Sequence, residues 1–501
     1  MTDSRPVFLA IDVGTGSVRA GLVEADGTIA AIAAAEHEPD VPAPGRSEQD
    51  PETWWAGARR TVRAVIEQAP DAARRLAGAA VCGQMHGPVG LDADGAVVTP
   101  RVQLWNDKRG AAIAETINAR GDAAELAARA GNPASPAWMG VKIAWLRDNE
   151  PERHAAARVF LTPKDFLNRR LTGVAATDVS EASGSWAMAA AGGGWDDDLI
   201  AALGIDASVL APIHDSAGPI GAVTAEAAEA TGLPAGLPVV AGAGDFPAAV
   251  LGTGVSATGE GFDVGGTSNI VGALADAPVT GAGLANLRAA GPGWITFGIL
   301  DSGGDAMRWA RRILDTPEAD WAAIEEAAAG IPPGAEGLVF LPWLTGERGA
   351  GGAAMRGQFF GAATRHGKAH FYRAVMEGVA LASRGDLAAM RRRGTRVDRL
   401  TAIGGGAKGA LWPRIKADVY GLPLVVPEAA EGGLIGCTAL AGLGVGAYAD
   451  SAEAVARLVR LDRTVEPDPA RARFYAELAQ LFDEIHESTR RHCARLASIG
   501  T

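Results

Sequence analysis

Asp12 ends a short β-branched run, Val7 to Ile11, and is followed at once by Val13-Gly14-Thr15-Gly16-Ser17. Glycine lets an anion approach backbone N–H groups, and hydroxyls add donors, so Gly14, Thr15, Gly16 and Ser17 form a candidate phosphate cradle. Val18 to Val23 then runs back to the turn residues Ala25-Asp26-Gly27, which predicts that the cradle is the bend of a hairpin. A similar phrase returns half a chain later, where Phe262-Asp263-Val264-Gly265 leads into Gly266, Thr267 and Ser268. Either loop alone could be an ordinary tight turn. Together, each after a strand-borne aspartate, they predict two domains of related construction that hold a triphosphate from both sides. Asp12 is then placed to hold Mg²⁺, directly or through water; the plainer alternative is a carboxylate that caps the turn.

Asp245 follows a buried-type strand and the turn Gly242-Ala243-Gly244, where an interior carboxylate needs a reason. Phosphoryl transfer to an alcohol asks for positioning, charge neutralisation and a base for the hydroxyl proton, and Asp245 suits the last role. The alternative is an N-cap for the following segment. Two polar patches could recognise a polyol by directional hydrogen bonds and an aromatic face: Gln84-Met85-His86-Gly87, and Trp105, Asn106, Asp107 and Arg109. A core histidine and a solvated loop are the bland counterparts. A third glycine cluster, Gly404, Gly405, Gly406, Ala407 and Lys408, lies between a strand-like and a helix-like run, with Glu428 further on. Read literally it fits a dinucleotide-binding fingerprint, and hence an NAD-dependent dehydrogenase. That reading leaves the two earlier loops unexplained, so a loop over an adenosine moiety is preferred.

The elements that must position these residues are legible in outline. Helical spacing predicts helices over Pro51–Gln68, Val141–Asn149, Ala369–Arg393 and Pro469–Ala497. The 501 residues exceed one core, and the border is placed so that residues 1–242 form one domain and 243–501 the other. A net charge of −13 argues against nucleic acid or an anionic membrane as partner. Three cysteines without paired spacing, no signal-peptide pattern and no uncharged run of spanning length point to a cytoplasmic protein. His366 and His370 share a helical spacing but lack a third ligand, so no zinc site is expected. A homodimer is left open.

In these residues the chain resembles the carbohydrate kinases that include glycerol kinase, gluconokinase and xylulokinase. Ile11 to Arg19 is similar to that family's first phosphate motif, with Arg19 its basic residue on the second strand. Gln84-Met85-His86-Gly87 with Trp105, Asn106, Asp107 and Arg109 resembles the xylulokinase branch. Pro163-Lys164-Asp165, Gly242 to Asp245, Gly266-Thr267-Ser268, Gly346-Glu347-Arg348, Gly404 to Lys408 and Glu431-Gly432-Gly433 with Gly436 match further motifs. The resemblance implies an α/β fold of two actin-like (ribonuclease H-like) domains closing on MgATP and a sugar. It also implies that Asp245 is the catalytic base, that His86, Asn106, Asp107 and Arg109 orient the sugar, and that D-xylulose is the expected acceptor. Other ketoses or polyols (ribulose, erythritol, arabinitol) are the alternatives. A nucleotide-switched binding protein on the same scaffold is a different class of alternative, which the polar patches disfavour. Three departures bear on the acceptor: Phe246 where xylulokinases carry asparagine, Gly349-Ala350-Gly351 in place of Thr-Pro-His, and Gly265 in place of leucine.

Overall fold

Val7–Val13 is buried almost throughout, as a strand covered on both faces must be. In a computed structural model of the chain, which describes residues 5–281, 283–316, 318–348, 352–428 and 431–499, it is central to a seven-stranded sheet. Val7–Val13, Ser17–Glu24 and Ile29–Glu36 form an antiparallel meander. On its other side Val7–Val13 pairs in parallel with Leu76–Gly83, which pairs in parallel with Pro238–Val240; Pro219–Ala222 closes the edge antiparallel.

The second sheet repeats this order. Gly259–Gly265, Asn269–Ala275 and Trp294–Leu300 form the meander, Val397–Gly404 and Leu424–Pro427 add in parallel, and Leu461–Val465 closes the edge antiparallel. Asp12 and Asp263 lie near the ends of corresponding strands, Asp12 one residue before the end of Val7–Val13 and Asp263 two before the end of Gly259–Gly265. The similarity of the two phrases is thus a similarity of construction. Ala243 and Gly244, just past the expected border, still pair with Cys82 and Gly83 of the first sheet.

Helices cover the sheets. Pro51–Gln68 starts with proline, is capped by Asp50, and buries Trp54, Trp55, Ala58, Val62 and Val65. The other expected helices form as Met139–Asn149, Lys368–Arg392 and Pro469–Ile499. One helix goes where no local period points. Gly432–Gly444, apolar all round, packs on the first sheet although it comes from the second half of the chain. Cys437 Sγ donates to the Ile11 carbonyl (3.7 Å), and a Cβ at Gly436 would strike the Ala248 carbonyl, so this helix crosses Asp245–Gly252 at close approach. The halves also meet where the Asn132 side chain grips the Asn286 backbone, its Nδ2 donating to the carbonyl and its Oδ1 accepting from the amide, both at 2.8 Å. Among the described residues no helix is long and apolar enough to cross a membrane.

Candidate active site

The first cradle is a tight turn in which the Gly14 amide donates to the Ser17 carbonyl (2.9 Å). The Thr15 hydroxyl donates to Gln84 Oε1 (3.1 Å) and accepts from Trp105 Nε1 (3.2 Å). Gln49 ties the Thr15 carbonyl (2.7 Å) to Gln84 (2.7 Å). Phosphate loop and both polar patches are therefore one connected surface, which spacing alone did not reveal.

Asp12 stands behind this loop, with one carboxylate oxygen buried and without a partner among the described residues. Burial, the largest influence, raises its pKa; Cys82 and Arg19 oppose the rise and Glu431 adds to it. Arg19 itself is ion-paired with Glu431, which precedes the crossing helix. Across from Asp12 lies Asp245, half-buried in the first turn of its helix, with Oδ1 accepting from the Phe246 amide (2.7 Å). Burial, then the charge of Asp12, pushes Asp245 up to about 7. That value suits a base working near neutrality.

The turn that aims Asp245 is held by buried side chains. Gly242 is left-handed (φ 72°), and a Cβ there would fall on the Val81 carbonyl. Lys164 Nζ (3.1 Å) and Asn168 Nδ2 (2.8 Å) both donate to the Ala241 carbonyl, and Ser180 Oγ accepts from the Gly244 amide (2.9 Å). Lys164 is fully buried between Asp165 and Asp178, which outweigh the burial that would discharge it.

On the second cradle the Gly266 amide closes onto the Ser268 carbonyl (2.9 Å), so Ser268 shapes the turn while Gly266 and Thr267 face a cavity of ≈ 630 Å³. Gly405, Gly406 and Lys408 line the same cavity, while Ala407 is buried beneath it. Gly404 (φ 85°) instead lets the two glycine loops touch, since a Cβ there would meet the Gly265 backbone. Gly265, the glycine where leucine is common, thus lies at that contact. Trp321 and Trp412 supply aromatic walls, and Arg308 donates to Thr267 Oγ1 (2.9 Å) from the helix Gly304–Leu314. None of these three was picked out from sequence. The Gly303-Gly304 pair after the strand Trp294–Leu300 was the available signal for Arg308; Trp321 had none.

The sugar-orienting candidates divide. Asn106 and Trp105 are exposed beside Thr15; Met85 packs on Gly244, next to Asp245; and His86 is held with φ 73°, its Nδ1 buried and unpartnered. Asp107, expected to orient the sugar, is engaged within the fold. Its carboxylate accepts from the Ser47 and Arg109 amides and from the Arg109 guanidinium, and these bonds outweigh burial and hold it below the ordinary carboxylate range. Arg109 is occupied in turn by Asp107, by Glu48 (2.7 Å) and by the face of Trp145 (4.9 Å). The pair braces the loop that carries Trp105 and Asn106. Glu347 pairs with His486 and Arg490, and Arg348 with Asp301; Gly349-Ala350-Gly351 lie outside the described residues.

The N-terminal domain model of the FGGY family of carbohydrate kinases matches residues 7–252, and its C-terminal domain model matches residues 263–445. The chain belongs to the FGGY family of carbohydrate kinases. FGGY kinases phosphorylate sugars with ATP, and a dehydrogenase or a mere nucleotide switch is thereby set aside. The chain is 30% identical over 487 residues to the xylulose kinase of Lactococcus lactis, covering 96% of each protein. It is 28% identical over 490 residues to that of Bacillus subtilis, covering 96% of this chain and 97% of the relative. The crystal structure of the xylulose kinase from Rhodospirillum rubrum superposes with a TM-score of 0.91 at 31% identity, covering 97% of this chain and 99% of that one. The FGGY fold is the two-domain α/β architecture expected from the two hairpins.

Proposed function

We propose that this FGGY kinase transfers the γ-phosphoryl group of ATP to a terminal hydroxyl of a ketopentose, D-xylulose giving the 5-phosphate, in the cytoplasm. The observation that carries the reading is the pair Asp245 and Asp12: a half-buried carboxylate tuned to about 7 beside a second carboxylate with an unpartnered buried oxygen. Asp245 accepts the hydroxyl proton as the oxygen attacks phosphorus. The Gly14–Ser17 and Gly266–Ser268 turns neutralise charge developing on the phosphates. The bodies 1–242 and 243–501 close over both substrates and exclude water.

Mg²⁺ fits this arrangement, because the orphaned oxygen of Asp12 wants a positive partner and Arg19 is occupied by Glu431. Asp12 would hold it, directly or through water, and the ion would supply charge neutralisation for the phosphates. No cluster of three or more potential ligands exists among the described residues, which suits an ion held mostly by phosphate and water.

A second acceptor class is favoured by one side chain. Phe246, next to Asp245, packs against Phe262 (centroids 5.6 Å apart) and Phe297 (4.9 Å) and presents no hydrogen-bonding group. A ketose or polyol with fewer hydroxyls to satisfy there would suit this wall better than D-xylulose. ADP release measured across ketoses and polyols separates the two by which acceptor stimulates it: the proposed reading requires D-xylulose to raise release about 10²-fold or more over the sugar-free rate, and the second a different ketose or polyol to do so. Release that no sugar or polyol stimulates would overturn it.

The pH dependence follows from the tuned base. Only ionised Asp245 can accept a proton, so kcat/KM rises with pH through about 7 and falls away on the acid side. A profile flat between pH 5.5 and 8.5 (roughly one and a half units either side of that value) would remove Asp245 as base.

A further inference from the structure

Lys142 is fully buried on the helix Met139–Asn149, among Val141, Ile143 and Ala144. No carboxylate lies within ion-pair distance of it among the described residues. Among the described residues its one side-chain hydrogen bond runs from Nζ to the backbone carbonyl of His86 (3.2 Å). A fully buried lysine with one neutral acceptor is unfavourable, and burial pushes its pKa down to about 7, with Lys108 and Arg109 pulling the same way and Asp107 and Glu181 opposing.

It holds an uncommon conformation. His86 is one of four non-glycine residues with positive φ among the described residues. Its ring stands edge-on to Trp138 (centroids 5.1 Å apart), and Gly184 leaves the space it fills, since a Cβ there would come within 2.5 Å of Cε1. Packing fixes the imidazole on two sides, and Lys142 fixes the carbonyl end.

We infer that Lys142 is a positioning residue that locks His86 in its left-handed conformation and so presents its imidazole to the acceptor sugar. The inference rests on the sugar-kinase reading above for its kinetic consequence, not for its structural one. Lys142→Met keeps the length of the side chain and removes the tether. It raises KM for the acceptor about tenfold while kcat and the KM for ATP stay within about twofold. In a His86→Ala background the same substitution adds less than about twofold, because the tether then has nothing to position. In the sugar-free enzyme labelled with ¹³C-histidine, the His86 Cε1–H resonance, assigned by its loss in His86→Ala, moves in Lys142→Met. Additive kinetic effects, or a His86 resonance that stays in place, overturn the assignment. Should Lys142→Met fail to fold, Lys142→Gln takes the same measurements. A wild-type enzyme inactive on every ketose and polyol defeats the functional reading, whereas the resonance still decides the role of Lys142.

Discussion

Asp245→Asn lowers kcat by about 10³-fold and leaves the Kd for ATP within about twofold of wild type. Asparagine keeps the shape of the side chain and still accepts from the Phe246 amide, so the first turn of Asp245–Gly252 and its approach to the cleft are preserved. It cannot take a proton at neutral pH. The cavity proposed for the nucleotide, lined by Gly266, Thr267, Gly406 and Trp412, does not include position 245, so binding of ATP is expected to be spared. Stability moves the other way. The carboxyl pKa of Asp245 is raised by burial and by Asp12 from 3.8 to about 7. Its contribution to stability is full below about pH 4 and is lost as pH rises through about 7, where the buried group is made to ionise. The Asn variant therefore unfolds at a higher temperature than wild type at pH 8, and that advantage shrinks at pH 5. A variant that retains more than a tenth of the activity would show that Asp245 only positions the acceptor.

The hairpins, the main helices and the location of Asp245 were legible because each is written in local chemistry: glycine and hydroxyl at a bend, apolar spacing along a helix, a carboxylate directly after a buried strand. What escaped was pairing between distant segments. Asp107 and Arg109 read as ligand-binding polar residues, yet they satisfy each other and Glu48 inside the fold, and no spacing rule distinguishes a polar group that faces a ligand from one already paired. Gly404 read as part of a nucleotide loop, but its freedom serves contact with Gly265. The helix Gly432–Gly444 crosses to the first sheet for want of any polar face, which a local period cannot direct to one sheet or the other. Lys142 and Lys164, both buried, and Arg308 at the cavity each sit on a helix whose pattern looks ordinary.

Asp12 and Asp263, near the ends of corresponding strands, serve two ends, and substituting each should separate stability from chemistry. Asp263 is buried and enclosed: Lys416 pairs with it, Tyr420 donates to it (2.6 Å), and Asn269 joins both (3.4 Å to Asp263, 2.8 Å from Lys416). Burial and then the Asp263 charge raise the Tyr420 phenol well above its usual value. Asp263→Ala strands the Lys416 ammonium in the interior, and breaking a buried pair in this way costs about 3–5 kcal/mol, a fall in Tm on the order of 10 °C. Asp12 has no such enclosure. Its oxygen lacks a partner, Arg19 is turned to Glu431, and burial disfavours its charge. Asp12→Asn is therefore neutral or stabilising to the fold, while turnover drops by about 10²-fold or more and the response to added Mg²⁺ is blunted. Equal losses of Tm in the two variants, or a fully active Asp12→Asn enzyme, would mean that the open carboxylate is structural after all. The contrast has a physical origin in the second sheet: Lys416, from the helix Leu411–Tyr420, fills the place beside Asp263 with a fixed cation, whereas beside Asp12 the backbone of Gly433 at the start of the crossing helix leaves no side chain to do so (a Cβ there would come within 3.1 Å of the carboxylate). Burial alone works against the charge of Asp12, and a cationic ligand would restore it.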